Sequence, residues 1–272
     1  MKANVFDLNG KVKESIDLPP SFEEEVRKDL IIRATLAEDS FKRQRQGHFP
    51  LAGLQTSATY YGRRGSFRTG RHMGIPARPR EKLGDGVQGK VKRIPSAVKG
   101  RRAKPHMVDK VIEEFINKKE YQKAIRSAIS ATLEYAPKSL KISNPIIISD
   151  DIEKISKTKE FMALLDKIGL SDYIESTKDS HIRKGVRRLS SQKHYKKSFL
   201  FVSSKECPAI RAAANIAGAD AATAENVTAN MLAPGGHPGR IVVWSESAVK
   251  NLESAIKKHA LKPASKKAAI KA

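Results

Sequence analysis

One long basic, glycine-rich stretch constrains this chain more than any other feature. Residues 42–106 contain 17 Lys or Arg, two acids (Glu81 and Asp85) and ten of the chain's 17 glycines. Their apolar residues are scattered and follow the period of neither a helix nor a strand. Such a stretch buries too little surface to offset its ordering entropy, so we expect it to be disordered on its own. Arginines for phosphates, aromatic rings for bases and glycines for close backbone approach favour folded RNA as the partner that orders it.

The remaining charge is also unevenly distributed. The formal net charge is +23, and residues 181–197 hold seven Lys or Arg and no acid. Residues 254–272 hold six Lys or Arg and no acid, so the rest of the chain is slightly acidic. We therefore expect a mildly acidic globular domain with three basic appendages and a polyanionic partner. Nucleic acid is favoured over an anionic membrane, and a solvated surface of mixed charge would not divide in this way.

Short apolar runs outside the basic stretch indicate a buried sheet. Four-residue runs at 199–202 and 241–244 and a three-residue run at 146–148 alternate with helical patterns, which is typical of a parallel sheet covered on both faces. The predicted class is α/β, a three-layer α/β/α domain with a mainly parallel sheet and a long extended basic loop. Further predicted elements are a hairpin at 4–18, helices at 21–45, 107–134, 158–168, 208–216 and after Ser245, and a weak strand at 226–229.

Two glycine-rich segments raise the question of a nucleotide or phosphate site. Residues 84–89 match GxGxxG, but no strand precedes them and no helix follows, so a dinucleotide site is disfavoured. Residues 232–240 fit either a phosphate cradle with Arg240 as the charge or a tight loop that steers the chain into the next strand. Both interpretations of the second segment stay open.

The chain offers little enzymatic chemistry. The histidines 181, 194 and 237 lack metal-ligand spacing, and Cys207 fits a small buried residue at a helix start. Asp150 and Asp151 fit the end of a strand better than a catalytic pair, and Trp244 fits the core. We predict no catalytic residue, no metal and no cofactor. No apolar stretch reaches membrane-spanning length and no signal peptide is present, so we expect a soluble, intracellular protein.

Residues 232–248 (LAPGGHPGRIVVWSESA) resemble the signature of the large-subunit ribosomal protein L4 family in its archaeal and eukaryotic form, with a C-terminus of archaeal type. Three further pieces agree in order, at 54–58, 93–102 and 158–160. The resemblance implies a globular α/β/α domain formed by residues 1–45 and 107–272. It also implies a loop, 46–106, that threads between rRNA domains, and a basic tail at 262–272.

The same resemblance implies the function. It implies a structural constituent of the large ribosomal subunit, not an enzyme, that binds 23S-type rRNA, supports assembly and lines part of the exit tunnel. Implied partners are the rRNA and neighbouring large-subunit proteins, including the other protein of the tunnel constriction, with this chain a monomer in a cytoplasmic particle and no membrane. A regulator that binds its own messenger RNA and a dinucleotide-dependent enzyme are the alternatives.

The expected contact residues follow from the basic segments and the motif positions. Residues 60–67 and 79–89 depart from the common family pattern, so the arginine that reaches the tunnel stays open. The expected tunnel tip comprises Tyr61, Gly62, Arg63, Arg64, Gly65, Phe67 and Arg68. The expected RNA-binding residues are Arg43, Arg45, Arg63, Arg64, Arg68, Arg71, His72, Arg78, Arg80, Lys90, Lys92, Arg93, Lys99, Arg101, Arg102, Lys104, Arg183, Lys184, Arg187, Arg188, Lys193 and Arg240.

Overall fold

The structure is a computed structural model, and the residues that it describes are 1–60, 62, 74–84, 87–134, 145–177, 180–182 and 193–258. The chain divides into two compact units. The first, which we call the α/β unit, comprises Met1–Lys42 and Glu113–Ala272. The second, which we call the arm unit, comprises Arg43–Ile112.

The α/β unit alternates strands and helices along most of its length. Its helices and strands, in chain order, are β1 (Lys2–Phe6), β2 (Val12–Asp17), α1 (Lys28–Phe41), α2 (Lys118–Glu134), β5 (Ile146–Ile148), α3 (Thr158–Ile168), α4 (Ser171–Thr177), β6 (Ser180–Ile182), β7 (Lys193–Tyr195), β8 (Phe199–Ser203), α5 (Pro208–Ala214), β9 (Asp220–Thr223), α6 (Ala229–Leu232), β10 (Ile241–Ser245) and α7 (Glu246–Lys258). The strands β3 (Arg80–Lys82) and β4 (Gln88–Val91) belong to the arm unit.

Six described strands form the central sheet, in the order β2-β1-β5-β10-β8-β9. The pair β1–β2 is antiparallel, whereas β1–β5, β5–β10, β10–β8 and β8–β9 are parallel. The prediction of a mainly parallel sheet is therefore confirmed. The short strands β6 and β7 pair separately, within the segment that the sequence analysis treated as a basic connection.

Side chains of the central strands alternate between two apolar layers, because successive residues of a strand point to opposite faces. Val242 and Trp244 of β10 join the layer that also contains residues of α1, α2, α6 and α7. Ile241 and Val243 join the layer that contains residues of α3, α4 and α5. Every residue of β8 and β10 is buried. This double burial confirms the three-layer α/β/α arrangement.

Most of the predicted elements are present. The N-terminal hairpin turns at Gly10, whose φ is 75°. Helix α3 spans the predicted residues and ends at Gly169 in the left-handed conformation. Helix α7 follows Ser245 as predicted, and the Ser245 hydroxyl caps it by accepting the Ala248 N–H at 3.3 Å. Trp244 is completely buried against Phe22, with ring centroids 5.7 Å apart.

The helix predicted at 21–45 is shorter, because α1 begins at Lys28 and ends at Phe41. The segment Pro20–Phe22 forms a separate 3-10 turn. Ser21 does not cap a helix: it is buried, and its hydroxyl donates to Glu253. The Arg27 N–H, at the start of α1, bonds to Ser127 Oγ of α2 at 2.6 Å. Tertiary contacts therefore set the start of this helix, and the local sequence signal does not.

The helix predicted at 107–134 begins only at Lys118. The Glu114 N–H bonds to Ser40 Oγ of α1 at 2.9 Å, so it is engaged by another element. Phe115 packs edge-on to Phe41 yet is 67% exposed. The helical period of the apolar residues before Lys118 therefore does not reflect a buried helical face.

The strand predicted at 226–229 is wrong. Thr228 caps α6 by accepting the Met231 N–H at 3.3 Å. The edge strand of this region is β9, Asp220–Thr223 (DAAT), which the sequence analysis missed. Two alanines and an aspartate carry little strand propensity, so pairing with β8 specifies this strand.

The arm unit contains more structure than its composition predicts. Strands β3 (Arg80–Lys82) and β4 (Gln88–Val91) form an antiparallel hairpin. Thr59 forms an isolated bridge with Arg80, with N···O distances of 3.2 and 3.4 Å. The scattered apolar residues of the loop gave no sign of this hairpin, which the sequence analysis missed. Backbone pairing, which needs no apolar side chains, forms it.

Phe161 tests the layer on the α3 side. It is completely buried and lies 5.4 Å from Phe201 and 6.2 Å from Phe199, between ring centroids. We expect Phe161→Ala to lower the free energy of unfolding by about 3–5 kcal/mol, because the cavity loses ring contacts on two strands. Urea unfolding measures the loss. The control is Leu36→Ala on α1, 53% exposed, for which a change above about 0.5 kcal/mol would be unexpected.

Candidate nucleic-acid interface

Two limbs of the arm unit meet through backbone contact at two glycines. Gly53 has a φ of 77°, and a Cβ there would lie 2.5 Å from the carbonyl carbon and oxygen of Gly100. A Cβ on Gly100 would lie 2.0 Å from the Ile94 carbonyl oxygen. Real Cβ atoms do not approach backbone this closely, so both positions require glycine. We call this contact the glycine crossing.

Arg93 strengthens the same region. Its Nε and Nη2 donate to the Leu54 carbonyl at 3.3 and 3.2 Å. Its own φ is 67°, an uncommon value for a residue other than glycine. Arg93 is a predicted RNA-binding residue, but some of its N–H donors are used for hydrogen bonds within the arm unit.

The described residues of the GxGxxG match are Gly84, just after β3, and Val87, Gln88 and Gly89, of which the last two belong to β4. The Leu83 N–H bonds to the Val87 carbonyl at 3.1 Å, and the Val87 N–H bonds to the Gly84 carbonyl at 3.1 Å. A dinucleotide fingerprint needs a strand that leads through the glycines into a helix. The hairpin geometry confirms that this match is not such a fingerprint.

Eight of the predicted RNA-binding cations in the described part of the arm unit are exposed to solvent, namely Arg43, Arg45, Arg78, Lys90, Lys99, Arg101, Arg102 and Lys104. Arg80, Lys92 and Arg93 are partly buried. Lys92 lies 3.7 Å from Glu81 in an ion pair. The hairpin and the crossing thus present most of these cations outward, where they can meet a polyanion.

The other predicted contact residues lie mostly outside the described residues. Gly62 is the one predicted tip residue that the structure describes. For Lys193 the backbone is described, as the start of β7. Outside the described residues lie Tyr61, Arg63, Arg64, Gly65, Phe67, Arg68, Arg71, His72, Arg183, Lys184, Arg187 and Arg188.

A groove of about 570 Å³ lies within the arm unit, where its first and last residues run side by side. Its lining includes Arg43, His106 and Lys110 together with two glutamines and three apolar side chains, and none of its lining residues is acidic. The His48 Nδ1 lies 2.8 Å from the His106 carbonyl oxygen and ties the two segments together. Cations beside amides and apolar surface suit a nucleotide, and we call this the neck groove.

Arg240 is the clearest correction among the predicted contact residues. Its side chain is buried, and its five N–H groups face five internal acceptors. Nη1 donates to Asp220 at 2.6 Å and to the Met231 carbonyl at 2.8 Å. The remaining acceptors are the carbonyls of Ser198, Phe199 and Gly218. The prediction that Arg240 binds RNA is therefore wrong, because no donor is left for a phosphate.

The loop before β10 is the tight turn, not a phosphate cradle. Its Gly236 N–H bonds to the Ala233 carbonyl, and its Gly235 N–H bonds to Asn230 Oδ1. Gly236 has a φ of 82°, and a Cβ there would lie 3.1 Å from Ile32 Cγ1 of α1. Because these N–H groups already bond to acceptors within the chain, they are not available to a phosphate. The glycines instead allow the turn to pack closely against α1.

The crevice at the carboxyl ends of the central strands is closed by the chain itself. Open α/β sheets bind ligands at this place. Here Asp150 accepts the Ser247 N–H at 2.8 Å, next to the end of β10. Glu153 accepts the Ser245 hydroxyl at 2.9 Å and the Ser204 N–H at 3.1 Å. Both carboxylates therefore act as structural acceptors for groups at the ends of β10 and β8.

Glu38 is a functional-looking group that the sequence analysis missed. It is buried on α1 and accepts the Tyr121 hydroxyl at 2.8 Å. It also accepts the N–H groups of Ala229 and Asn230 at 2.8 and 3.0 Å. Burial, followed by the charge of Glu38, raises the pKa of Tyr121 far above its ordinary value. The phenol therefore stays protonated, and the carboxylate anchors the start of α6.

Residues 16–255 match the family described as "Ribosomal protein L4/L1 family". The chain belongs to this family. A protein of Methanocaldococcus jannaschii named "Large ribosomal subunit protein uL4" is 41% identical over 264 residues, which cover 93% of this chain and 98% of that protein. Proteins of the same name from Haloquadratum walsbyi and Methanococcoides burtonii are 36% and 40% identical, over 93% and 92% of this chain and 99% and 97% of their own lengths.

Membership in the L4/L1 family confirms the resemblance drawn from residues 232–248, including its archaeal type. It also confirms that the chain is not an enzyme, since the relatives carry the names of ribosomal proteins. In the described part of the chain, no three His, Cys, Asp or Glu side chains are grouped as metal ligands. None of the described helices combines the length and the apolar character that a membrane crossing requires.

The glycine crossing can be tested by adding one methyl group. We expect Gly53→Ala to favour local opening of the arm unit by about 1–2 kcal/mol from its left-handed backbone alone, and more from the clash with Gly100. Trypsin cleavage after Arg101 measures this as a rate increase of about fivefold or more. Gly84→Ala is the matched control, because its Cβ would meet nothing within 4 Å. Equal cleavage rates in the two variants would contradict the crossing.

Asp220 gives the Arg240 cluster a pH dependence. Burial alone would raise the pKa of Asp220, but the hydrogen bond from Lys197 and the charge of Arg240 hold this pKa below its ordinary value. Its contribution to stability is therefore fully present above the unfolded-state pKa of about 3.9 and is lost as pH falls through the lower folded-state value.

We expect Asp220→Asn to cost roughly 3 kcal/mol near neutral pH, because it leaves a buried guanidinium without its counter-charge. The difference in unfolding free energy from the wild type should shrink at acid pH, measured by urea unfolding between about pH 3 and 7. Asp17→Asn, on the exposed edge strand β2, is the control for the loss of one carboxylate. A difference for Asp220→Asn that stays constant down to the lowest pH would contradict this assignment.

Proposed function

We propose that this chain is a structural constituent of the large ribosomal subunit, located in the cytoplasm, and that it binds the 23S-type rRNA of that subunit. The observation that carries the proposal is the arm unit, in which eight of the predicted RNA-binding cations are exposed around a hairpin and the glycine crossing. The names of the archaeal relatives support the particle in which it acts. Cations held on a shaped backbone match an RNA surface, which proteins recognise mainly by shape and phosphate position.

The two parts of the chain have different proposed roles. Residues 1–45 and 107–272 form the globular anchor, and residues 46–106 form the loop that penetrates rRNA. The tip of this loop, around 61–68, lines part of the exit tunnel near the other protein of the constriction. The basic tail at 262–272 and the segment 181–197 supply further phosphate contacts. Within the particle the chain is a monomer that supports assembly.

The folded part of the arm unit makes this role physically easier. Ordering a free chain costs about 1–2 kcal/mol per residue in backbone entropy. The hairpin and the glycine crossing give the described residues of the arm unit internal contacts of their own. Under the proposal, these contacts lower the conformational entropy that RNA binding must offset for the described residues.

A second function uses the same surface. The alternative is a regulator that binds its own messenger RNA, since the cations of the arm unit suit any RNA that reproduces the rRNA shape. A gel shift with the leader of the chain's own messenger RNA, competed by an rRNA transcript, distinguishes the two roles. Loss of the leader complex at equimolar rRNA would leave rRNA as the principal ligand.

The rRNA proposal predicts a salt dependence that arm cations control. Each phosphate that a cation neutralises contributes roughly 0.7–0.9 to the slope of log K against log salt. We therefore expect Arg101→Gln with Arg102→Gln to reduce this slope by about 1.5 in filter binding to a large-subunit rRNA transcript. Lys118→Gln with Lys119→Gln, at the exposed start of α2, removes the same charge from the α/β unit and should leave the slope nearly unchanged. Equal effects of the two pairs would reject the arm unit as the main contact.

Deletion of residues 47–104 separates folding from binding. We expect the shortened chain to keep the cooperative unfolding of the α/β unit, since the six described strands and both apolar layers lie outside the deletion. Its affinity for the transcript should fall at least about tenfold, because it loses most of the exposed cations. Circular dichroism and filter binding measure the two properties. An unfolded product, or one with unchanged affinity, would contradict the division of roles.

A further inference from the structure

The neck groove is formed by two short segments that both belong to the arm unit. Its lining residues come from the first four residues of that unit and from residues 106–112. At Gly47 the two segments approach so closely that a Cβ would lie 2.9 Å from Val108 Cγ2. At the next residue, His48 Nδ1 lies 2.8 Å from the His106 carbonyl oxygen. The two sides of the groove are therefore joined by contacts within a single unit.

A tight turn decides which side chains of the second segment line the groove. The Lys110 N–H bonds to the Met107 carbonyl at 3.3 Å, which closes a turn over residues 107–110. Met107 and Lys110, at the two ends of this turn, belong to the lining, whereas the acid Asp109 inside the turn does not. The turn thus gives the groove an apolar side chain and a cation, and it leaves the acid of this segment outside the lining.

Charge distinguishes the neck groove from two grooves of the α/β unit. The lining of the neck groove carries Arg43, Lys110 and the basic side chain of His106, and it contains no acid. The other two grooves, of about 890 and 370 Å³, each have an acidic side chain in their lining. A cleft lined by one sign of charge attracts ligands of the opposite sign. The neck groove is therefore complementary to an anion.

The remaining lining residues indicate that this anion also carries a planar, partly apolar group. Met107 is 55% and Val111 62% exposed, so the chain leaves this apolar surface in contact with water. A nucleobase that packs on these side chains removes the surface from water, which a bare phosphate does not do. Gln44 and Gln46 add amides that both donate to and accept from the edge of a base. The planar guanidinium of Arg43 suits a base face as well as a phosphate.

The size of the neck groove fits one nucleotide. Pockets for small ligands and cofactors measure about 300–1,000 Å³, and the neck groove, at about 570 Å³, lies within this range. Bases inside an A-form helix are paired and stacked, so their faces are not available to a protein side chain. Bases of loops and bulges, in contrast, are splayed out and packed against proteins. A base that enters the neck groove must therefore come from an unpaired position.

We propose that the neck groove binds one unpaired nucleotide of the large-subunit rRNA, with its base against Met107 and Val111 and its phosphate beside Arg43 and Lys110. This inference rests on the proposed function, because it takes rRNA as the ligand of the arm unit. It adds a base contact to an interface that otherwise recognises RNA by shape and phosphate position. A contact with the RNA backbone alone and the binding of an acidic peptide are outcomes of the tests.

The first test separates the base contact from the charge. Val111→Ser removes apolar contact surface and leaves every charge in place. We expect its affinity for a large-subunit rRNA transcript to fall about fivefold, the loss that one or two buried methyl groups predict. The slope of log K against log salt should stay unchanged, because no phosphate contact is lost. Lys110→Gln should instead reduce this slope by about 0.7–0.9.

Val98→Ser is the matched control for the loss of apolar contact. Val98 is 82% exposed, lies in the same arm unit and is absent from the lining of the neck groove. We expect this variant to bind the transcript with the affinity and the salt slope of the wild type. Both valines are mostly exposed, so neither change removes a contact on which folding depends.

The second test locates the nucleotide. A benzophenone side chain is placed at Gln44, and separately at Met107, in the full chain, so that each segment of the groove carries one probe. The complex with the transcript is irradiated, and reverse transcription maps the adduct. We expect both probes to mark the same nucleotide or its immediate neighbour. In the naked transcript, that nucleotide should react with a 2′-hydroxyl acylating reagent, as unpaired nucleotides do, and the bound chain should protect it.

Failure of the inference and failure of the proposed function give different results. A wild-type chain that does not bind the transcript would reject the proposed function together with the inference that rests on it. With binding intact, equal affinities of Val111→Ser and Val98→Ser would overturn the inference and leave a backbone contact alone. Adducts at distant nucleotides, or at a nucleotide that is paired in the naked transcript, would overturn it as well. If the same probes in purified large subunits capture another protein and no rRNA, the groove binds a peptide and the inference is wrong.

Discussion

The α/β unit depends on a buried guanidinium, that of Arg240, which ties several of its elements together. Arg240 lies just before β10, and its side chain donates hydrogen bonds to five acceptors. These acceptors are Ser198, the residue before β8, Phe199 in β8, Gly218 in the turn before β9, Asp220 in β9 and Met231 in α6. A buried cation of this kind is tolerated because every donor is used and one acceptor, Asp220, carries the opposite charge. At the start of α6, the carboxylate of Glu38 accepts two backbone N–H groups. Two buried charged groups of opposite sign therefore fix a four-residue helix that apolar packing alone would hold weakly.

The arm unit is stabilised in a different way. It has almost no apolar core among its described residues, and Ala58 is its one fully buried hydrophobic residue there. Its order comes from backbone pairing in the hairpin, from the Arg93 bond to the Leu54 carbonyl and from the glycine crossing. Because the arm unit has almost no apolar core to cover, most of its long cationic side chains remain exposed to solvent. A composition that predicts disorder of the segment on its own is thus combined with a backbone framework that holds charged side chains at the surface.

Much of this fold was predictable from local sequence, and the failures share a physical cause. The strands of β5, β8 and β10 are continuous apolar runs, so burial on both faces left a clear signal. The strand β9 and the late start of α2 gave no such signal, because pairing with β8 and the bond between Glu114 and Ser40 decide them. Arg240 was misassigned for the same reason. An arginine beside glycines reads as a phosphate ligand until the carbonyls that surround it are known.

Trp244 is the chain's single tryptophan, and its ring is completely buried between the sheet and Phe22. Any change in its intrinsic fluorescence therefore reports on the core of the α/β unit, while the arm unit, which has no tryptophan, contributes nothing to the signal. Tryptophan fluorescence therefore reports on the α/β unit alone, and a change that is confined to the arm unit does not alter it.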